Sequence, residues 1–513
     1  MRHAQIIFHD VTFAYETASA PLFARLTAHF QTGWTGIVGA NGAGKTSLLR
    51  LATGELSPQQ GTVQEAADAI YCPQRTDTAP PLFAEFVQAC EGEAQETRGR
   101  LKIAAAWLNR WDTLSHGERK RAQIGAALWR QPHILAIDEP TNHLDAEARR
   151  LLIGALHAFS GVGLLVSHDR QLLDVLCHQC LFMEPPRAAM RPGGVTQGAQ
   201  AARQEAASIR QQARLAKRER IRLERQAAMR REQASRAHNQ RSKRGLDRKD
   251  RDARSRKNLA RVTGKDGVGG KLLNQIEGRL EQARQREAQV TVTKTYELGI
   301  WLPGSVSKRN VLFALPGSSL SLGPERWLHV PHLEMRPTDR IALTGPNGGG
   351  KSTLVRHIVR TVDLPRQQVI YIPQEVDPHT ARHALAQIRA LPKDKLGYLM
   401  TFISRLGSRP QRLLETSEPS PGETRKLLLA MGILRRPHLI VMDEPTNHLD
   451  LPSIECLELA LAECRCAMLL VSHDAYFLAR LTTIHWRIRE GTRRGDMQLS
   501  ITDSSRQARP CTK

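Results

Sequence analysis

Short apolar runs punctuate the chain, and each stops at a polar cluster. Gly36-Ile37-Val38 leads into Gly39-Ala40-Asn41-Gly42-Ala43-Gly44-Lys45-Thr46, and Ile341-Ala342-Leu343 into Gly345-Pro346-Asn347-Gly348-Gly349-Gly350-Lys351-Ser352. Ile134-Leu135-Ala136-Ile137 ends at Asp138-Glu139, and Leu439-Ile440-Val441-Met442 at Asp443-Glu444. Runs this short and apolar predict buried strands, and a helical pattern follows each glycine-rich cluster. The middle of the chain has another period. From about Gln197 to Lys243 it is rich in Ala, Arg, Gln and Glu, good helix formers, and reads as one long helix. Ile209, Ala213, Ala216, Leu223 and Ala227 follow steps of four and three, with Arg220 filling the gap. Leu272, Ile276, Leu280 and Ala283 form a matching seam in a second helix, about Lys271 to Val290. The pattern predicts an antiparallel helical hairpin whose first helix reaches roughly 60–70 Å.

Charge sharpens this picture. The 513 residues carry a formal +23, and residues 201–290 alone hold 26 basic against 11 acidic groups. Much of that excess sits at the tip between the two helices, in Arg241, Lys243, Arg244, Arg248, Lys249, Arg251, Arg254, Arg256 and Lys257. So lopsided a segment predicts contact with a nucleic acid rather than a balanced, solvated linker. No aromatic residue occurs between Phe182 and Tyr296, so phosphate contacts are expected in place of base stacking.

Composition narrows the class. A hydrophobic fraction of 41% excludes wholesale disorder, and the length suits two to four domains. No apolar run is long enough to span a membrane, and the first residues lack the apolar stretch of a secretion signal. The eight cysteines are scattered. Cys177-His178-Gln179-Cys180 has a zinc-like spacing but no matching second pair, so buried thiols are expected there. A reducing cytoplasm fits.

The motifs carry the chemistry. Each glycine-rich cluster matches GxxxxGK[ST] between a strand and a helix, the setting of a phosphate-binding loop. Backbone N–H groups at Gly39, Asn41, Gly42 and Gly44, and at Gly345, Asn347, Gly348 and Gly350, are placed to wrap phosphates at a helix N-terminus. Ser47 and Thr353 follow in the same helical turn. Lys45 and Lys351 are suited to the β/γ-phosphates, and Thr46 and Ser352 to Mg2+. Asp138 and Asp443 are suited to the metal, and Glu139 and Glu444 to polarising an attacking water. Gln74 and Gln374, each in a Tyr-x-Pro-Gln context, suit the metal and that water. His168 and His473, each in Val-Ser-His-Asp, are within the reach of a γ-phosphate.

The constellation occurs twice. Lys45 and Lys351 are 306 residues apart, while Asp138–Asp443 and His168–His473 are each 305 apart. The chain resembles the ATP-binding cassette ATPases. Leu114-Ser115-His116-Gly117-Glu118 is similar to that family's signature, with His116 replacing a glycine, and Pro419-Ser420-Pro421-Gly422-Glu423 is its counterpart. Each signature serine precedes its metal aspartate by 23 residues. Pro421 lacks an N–H, so one donor is missing there.

The resemblance implies an α/β fold with two cassettes, each a mixed β core plus a helical subdomain, joined by the basic hairpin. Its expected bounds are 1–190, 191–292 and 293–513. It also implies head-to-tail pairing of the cassettes within a monomer. Lys45, Thr46, Gln74, Asp138, Glu139 and His168 would then face Ser420 and Gly422. Lys351, Ser352, Gln374, Asp443, Glu444 and His473 would face Ser115 and Gly117. ATP and Mg2+ are the implied cofactors, both sites are expected to hydrolyse, and the Lys45 site, facing Pro421, is the slower one. Tyr15, 24 residues before Gly39, is either a platform for adenine or a strand aromatic in the core, and Ser321 holds the equivalent offset in the second copy.

Complete cassettes flanking a short basic arm resemble the F subfamily. A transporter ATPase has no use for such an arm, and a DNA-repair ATPase carries long coiled-coil or zinc insertions. The resemblance implies a ribosome-binding factor acting at the tRNA exit site, with no membrane subunit. Its arm would point toward peptidyl-tRNA and the peptidyl-transferase centre, where the basic tip meets rRNA and tRNA. Gaps of 41 residues from Gln74 to Ser115 and 46 from Gln374 to Ser420 leave little room for an extra arm in the first cassette. That and the long tip tilt the expectation from a housekeeping translation factor toward protection or rescue of ribosomes.

Overall fold

The computed structural model describes residues 5–16, 21–64, 68–142, 144–185, 187–241, 266–289, 304–406, 413, 416, 419–447, 449–493 and 495–503. They fall into two compact units, one made of 1–198 with 296–513 and the other of 199–295. Both cassettes therefore lie within a single unit, and the arm is the second.

Among the described residues, each cassette is built on five parallel strands in the same spatial order. In the first, Ala69–Cys72, Ile134–Asp138, Val162–Val166, Gly33–Gly39 and Cys177–Glu184 lie side by side, with Arg187–Pro192 antiparallel at the edge. In the second, Val369–Ile372, Leu439–Asp443, Ala467–Val471, Arg340–Thr344 and Ile484–Glu490 repeat that order. Every residue of Ile134–Asp138, Val162–Val166, Leu439–Asp443 and Ala467–Val471 is buried. Helices cover both faces of a parallel sheet, which explains their unbroken apolar runs.

The cassettes differ at their antiparallel parts. Ile6–Phe13, Phe23–Phe30 and Gln60–Gln64 form a separate three-stranded sheet in the first. In the second, the hairpin of Ser318–Gly323 and Arg326–Val330 joins the main sheet through Met497–Asp503. Each cassette also carries a helical subdomain. Phe83, Phe86, Trp107 and Trp111 pack its core in the first cassette, and Leu399, Phe402 and Ile403 do so in the second. Leu451 of the second cassette packs into the first cassette's cluster with Leu144 and Leu165.

The arm pairs two helices, Val195–Arg241 and Asp266–Gln289. Arg220 bonds Glu287, Arg284 reaches Glu224 and Arg231 bonds Glu277, so partner numbers fall as the first helix advances. The helices are therefore antiparallel. Leu223, Leu280 and Ala283 form a small buried cluster, and Ala227 is buried too. Arg220 occupies the gap in the seam because its guanidinium is paired across it. The seam is shorter than its period suggests, since Ile209 is exposed. The second helix begins at Asp266 and runs through Gly267, Gly269 and Gly270, ahead of the start near Lys271 that the sequence pattern predicts. Arg241 closes the first helix, while Lys243, Arg244, Arg248, Lys249, Arg251, Arg254, Arg256 and Lys257 lie outside the described residues.

Candidate active site

The two phosphate loops leave the central strand of each sheet and open the helices Lys45–Ala52 and Lys351–Thr361. Gly44 and Gly350 sit immediately before those helices at φ 91° and 93°, in the left-handed region that glycine adopts freely. A Cβ at either position would clash with Leu22 or Leu322. Lys45 Nζ donates to the carbonyls of Gly39 and Ala40 at 2.9 and 3.2 Å, and Lys351 Nζ to those of Gly345 and Pro346 at 2.9 and 3.0 Å. The loop thus holds its own lysine where phosphate oxygens would replace the carbonyls.

Thr46 Oγ1 donates to Asp138 Oδ2 at 2.7 Å, and Ser352 is hydrogen-bonded to Asp443. Burial pushes the Asp443 carboxyl up. A hydroxyl and a carboxylate, with Gln74 or Gln374 lining the same cavity, form a set of hard oxygen donors that suits Mg2+.

Glu139 and Glu444 adopt φ of 45° and 51°, a strained conformation for a side-chain-bearing residue. Each carboxyl lies beside the histidine that follows the neighbouring strand, His168 or His473. Glu139 N–H donates to Val166 O at 2.9 Å and Glu444 N–H to Val471 O at 2.8 Å, locking the turn. Burial pushes Glu139 up to about 8 and Glu444 up to about 7. Burial, reinforced by Lys45 and Lys351, holds His168 and His473 down at about 3, so both imidazoles are neutral. His168 Nε2 lies 3.2 Å from Glu139 Oε1, and His473 Nε2 3.5 Å from Glu444 Oε1. Neither contact has hydrogen-bond geometry, and Oε1 of both glutamates is buried with no hydrogen-bond partner. An orphaned acceptor beside a metal-type aspartate is where an attacking water would be held.

Both cavities are composite. One of about 1040 Å³ brings Lys351, Ser352, Thr353, Gln374, Asp443, Glu444 and His473 against Ser115, His116 and Gly117, together with Asn347, Gly348 and Gly350. The other, of about 530 Å³, brings Asn41, Gly42, Gly44, Lys45, Thr46, Ser47, Gln74, Asp138, Glu139 and His168 against Ser420 and Gly422. Gly39 and Gly345 stand behind the loops and offer their carbonyls to the lysines.

The signature serines cap their helices. Ser115 Oγ accepts from Glu118 N–H at 3.3 Å, while Glu118 accepts from Ser115 N–H at 2.8 Å, and Ser420 and Glu423 repeat the box at 3.3 and 2.9 Å. Pro421 sits in the first turn of that helix, where proline is tolerated because the turn's N–H groups have no intrahelical partner. The helix start is preserved at the cost of a donor facing the Lys45 site.

Tyr15 is 44% exposed, lines the smaller cavity and bonds Ser47 Oγ through its hydroxyl at 2.8 Å. It is therefore not a core aromatic. In the second cassette the tight turn between Gly323 and Arg326 leaves Leu322 and Arg326 on the corresponding wall.

Residues beyond the phosphate loops and signatures complete the pairing, first among them Asp145 and Asp450, which end the two Leu-Asp runs after the Asp-Glu strands. Asp450 Oδ2 accepts from Asn41 N–H at 2.7 Å, and Asp145 Oδ2 from Asn347 N–H at 3.5 Å, each across the cassettes. Arg149 donates to His473 O at 2.8 Å, and Arg170 forms an ion pair with the fully buried Glu458. Cys177 and Cys180 are buried thiols. Among the described residues, no group of three or more His, Cys, Asp or Glu side chains is placed to hold a metal ion, and no helix is long and apolar enough to cross a membrane.

Comparison with known proteins agrees with this geometry. The family model described as "ABC transporter" matches residues 25–142 and 328–447. ATP-binding protein Uup of Caulobacter vibrioides is 29% identical over 87% of this chain and 71% of its own. Ribosome protection protein VmlR of Bacillus subtilis is 28% identical over 91% and 84%. Tylosin resistance ATP-binding protein TlrC of Streptomyces fradiae is 28% identical over 95% and 98%. The solved archaeal ribosome recycling factor aABCE1, in complex with the stalk protein aP1, shares the fold with a TM-score of 0.60 at 18% identity, covering 96% of this chain and 89% of that one. The chain thus carries the nucleotide-binding domain of the ATP-binding cassette family twice, and its relatives include a member of that family's F branch.

Proposed function

We propose that this ATPase is a cytoplasmic ribosome-binding factor whose arm is set by the nucleotide state of the paired cassettes. The observation that carries the reading is the arrangement of the chain. A segment with 26 basic against 11 acidic residues connects two cassettes that share two composite cavities. The relatives VmlR and TlrC, one named for ribosome protection and one for tylosin resistance, support it.

ATP between each phosphate loop and the opposite signature closes the cassettes, and hydrolysis releases them. Mg2+ would supply charge neutralisation at the transferring phosphoryl group. Thr46, Gln74 and Asp138 would hold it in one site, and Ser352, Gln374 and Asp443 in the other. Glu139 and Glu444 accept a proton from the attacking water, His168 and His473 steady the γ-phosphate, and Tyr15 stacks on adenine. The tip, from Arg241 through Lys257, engages rRNA and tRNA by phosphate contacts. We place the bound protein at the tRNA exit site with the tip toward the peptidyl-transferase centre, acting in protection from antibiotics or in rescue.

Sedimenting the Glu139→Gln, Glu444→Gln variant from lysate with ATP tests this. Co-migration with 70S-like particles supports the reading. Pelleting with membranes would favour a transporter partner, and association with DNA a repair role.

A further inference from the structure

Buried charges that this chemistry leaves unused lie on the signature helices. Lys120 is fully buried, five residues after Ser115 on the helix His116–Trp129. Its Nζ donates to Pro73 O at 2.7 Å and to Asp138 O at 3.2 Å. Arg425 stands 305 residues later, the spacing that separates the two metal aspartates, and is also buried. It donates to Glu444 O at 3.1 Å, to Asn447 O at 2.6 Å and to Gln374 O. Two different cations at one position of the repeat thus make the same kind of contact. Burying a charge is costly unless it is well hydrogen-bonded, and backbone carbonyls supply these bonds.

The carbonyls are those of particular peptides. Pro73 O belongs to the peptide that carries Gln74, and Asp138 O to the peptide that carries Glu139. In the second cassette the acceptors are on Gln374 and Glu444 themselves. The glutamates hold left-handed backbone, which persists only where the surroundings over-determine it. The same helix begins at the signature serine that faces the opposite ATP site.

We infer that Lys120 and Arg425 are positioning residues that clamp the glutamine loop to the glutamate turn and join each composite site to the other through the signature helix. Closure of the signature on one nucleotide moves a helix whose buried cation holds the metal and water ligands of the other. The inference concerns ATP turnover alone and does not depend on a ribosome.

Steady-state ATPase of the full chain, without ribosomes, tests it. In the Glu444→Gln background, which isolates the Lys45 site, Lys120→Met should lower kcat about tenfold or more and leave KM within about twofold. Lys120→Arg should recover most of that loss, because Arg425 does the same work in the other cassette. In the Glu139→Gln background, Lys120→Met should lower turnover at the Lys351 site about threefold, through the shared helix. Should Lys120→Met fail to fold, Arg425→Lys in the Glu139→Gln background replaces it. A single ammonium cannot span all of that guanidinium's carbonyls, so kcat should fall severalfold at constant KM. An unchanged kcat for the folded variants, or a Lys120→Arg as impaired as Lys120→Met, would overturn the inference.

Discussion

Asp450 of the second cassette accepts a 2.7 Å hydrogen bond from the backbone N–H of Asn41, in the phosphate loop of the first. Its other oxygen accepts from Ser453 N–H at 3.0 Å and caps the helix Leu451–Glu463. One carboxylate therefore ties a helix start to the opposite ATP site. Asp145 repeats the arrangement, with a longer 3.5 Å bond to Asn347.

The two aspartates should not be equivalent. Asp450→Ala removes a cap worth about 1 kcal/mol together with the shorter intercassette bond, and should cut turnover at the Lys45 site about tenfold. Asp145→Ala should cost less at the Lys351 site. Initial rates in the Glu444→Gln and Glu139→Gln backgrounds compare them, and equal losses would contradict the geometry.

Arg170 is expected to hold the closed state. It pairs with Glu458, whose side chain is fully buried, and with Asp474 at 3.3 Å. Removing one partner of a buried pair costs about 3 kcal/mol, roughly a hundredfold in the closure equilibrium. Arg170→Ala should weaken ATP-induced closure, read by fluorescence energy transfer between dyes on the two cassettes. Closure at unchanged ATP would show that Arg480, which also reaches Glu458, suffices alone.

Base recognition should be lopsided. Tyr15→Ala removes a stacking face worth about 1–2 kcal/mol, so KM at the Lys45 site should rise about tenfold or more. The Lys351 site, walled by Leu322 and Arg326, should keep its KM. Tyr15→Phe should retain stacking and lose only the bond to Ser47. Equal KM changes at both sites would place Tyr15 away from the base.

These contacts mark what the sequence could and could not foretell. The phosphate loops, the Asp-Glu strand ends and the signatures are local, because each needs a few residues at fixed spacing on one turn. The partners of Asp450 and Arg170 lie in the other cassette, 409 and 288 residues away, where no periodicity reaches. For Tyr15 the limit is different, because an aromatic just past a strand can face the core or a cavity, and only the fold shows it exposed beside Ser47. In the arm, the four-three spacing identified Leu223 and Leu280, but it could not tell that Ile209 is left exposed or that glycines would be drawn into the second helix.

The arm should loosen in acid. The Arg220 and Arg284 guanidiniums hold the Glu224 carboxyl below its ordinary range. A depressed carboxylate stabilises the fold above its unfolded value of 4.5 and loses that contribution as pH falls through the folded value. Glu224→Gln should therefore raise hydrogen exchange around Leu223 and Leu280 at neutral pH. The difference from the unmodified chain should vanish at strongly acid pH. A difference that persists there would mean packing, not charge, is responsible.

The most direct test of the account is the stoichiometry of trapping on the ribosome. The Glu139→Gln, Glu444→Gln chain is pelleted with purified 70S ribosomes and labelled ATP. Two nucleotides retained per bound chain, with binding that requires ATP and weakens in salt, is the predicted result. Binding that ignores ATP, or no binding at all, would contradict it.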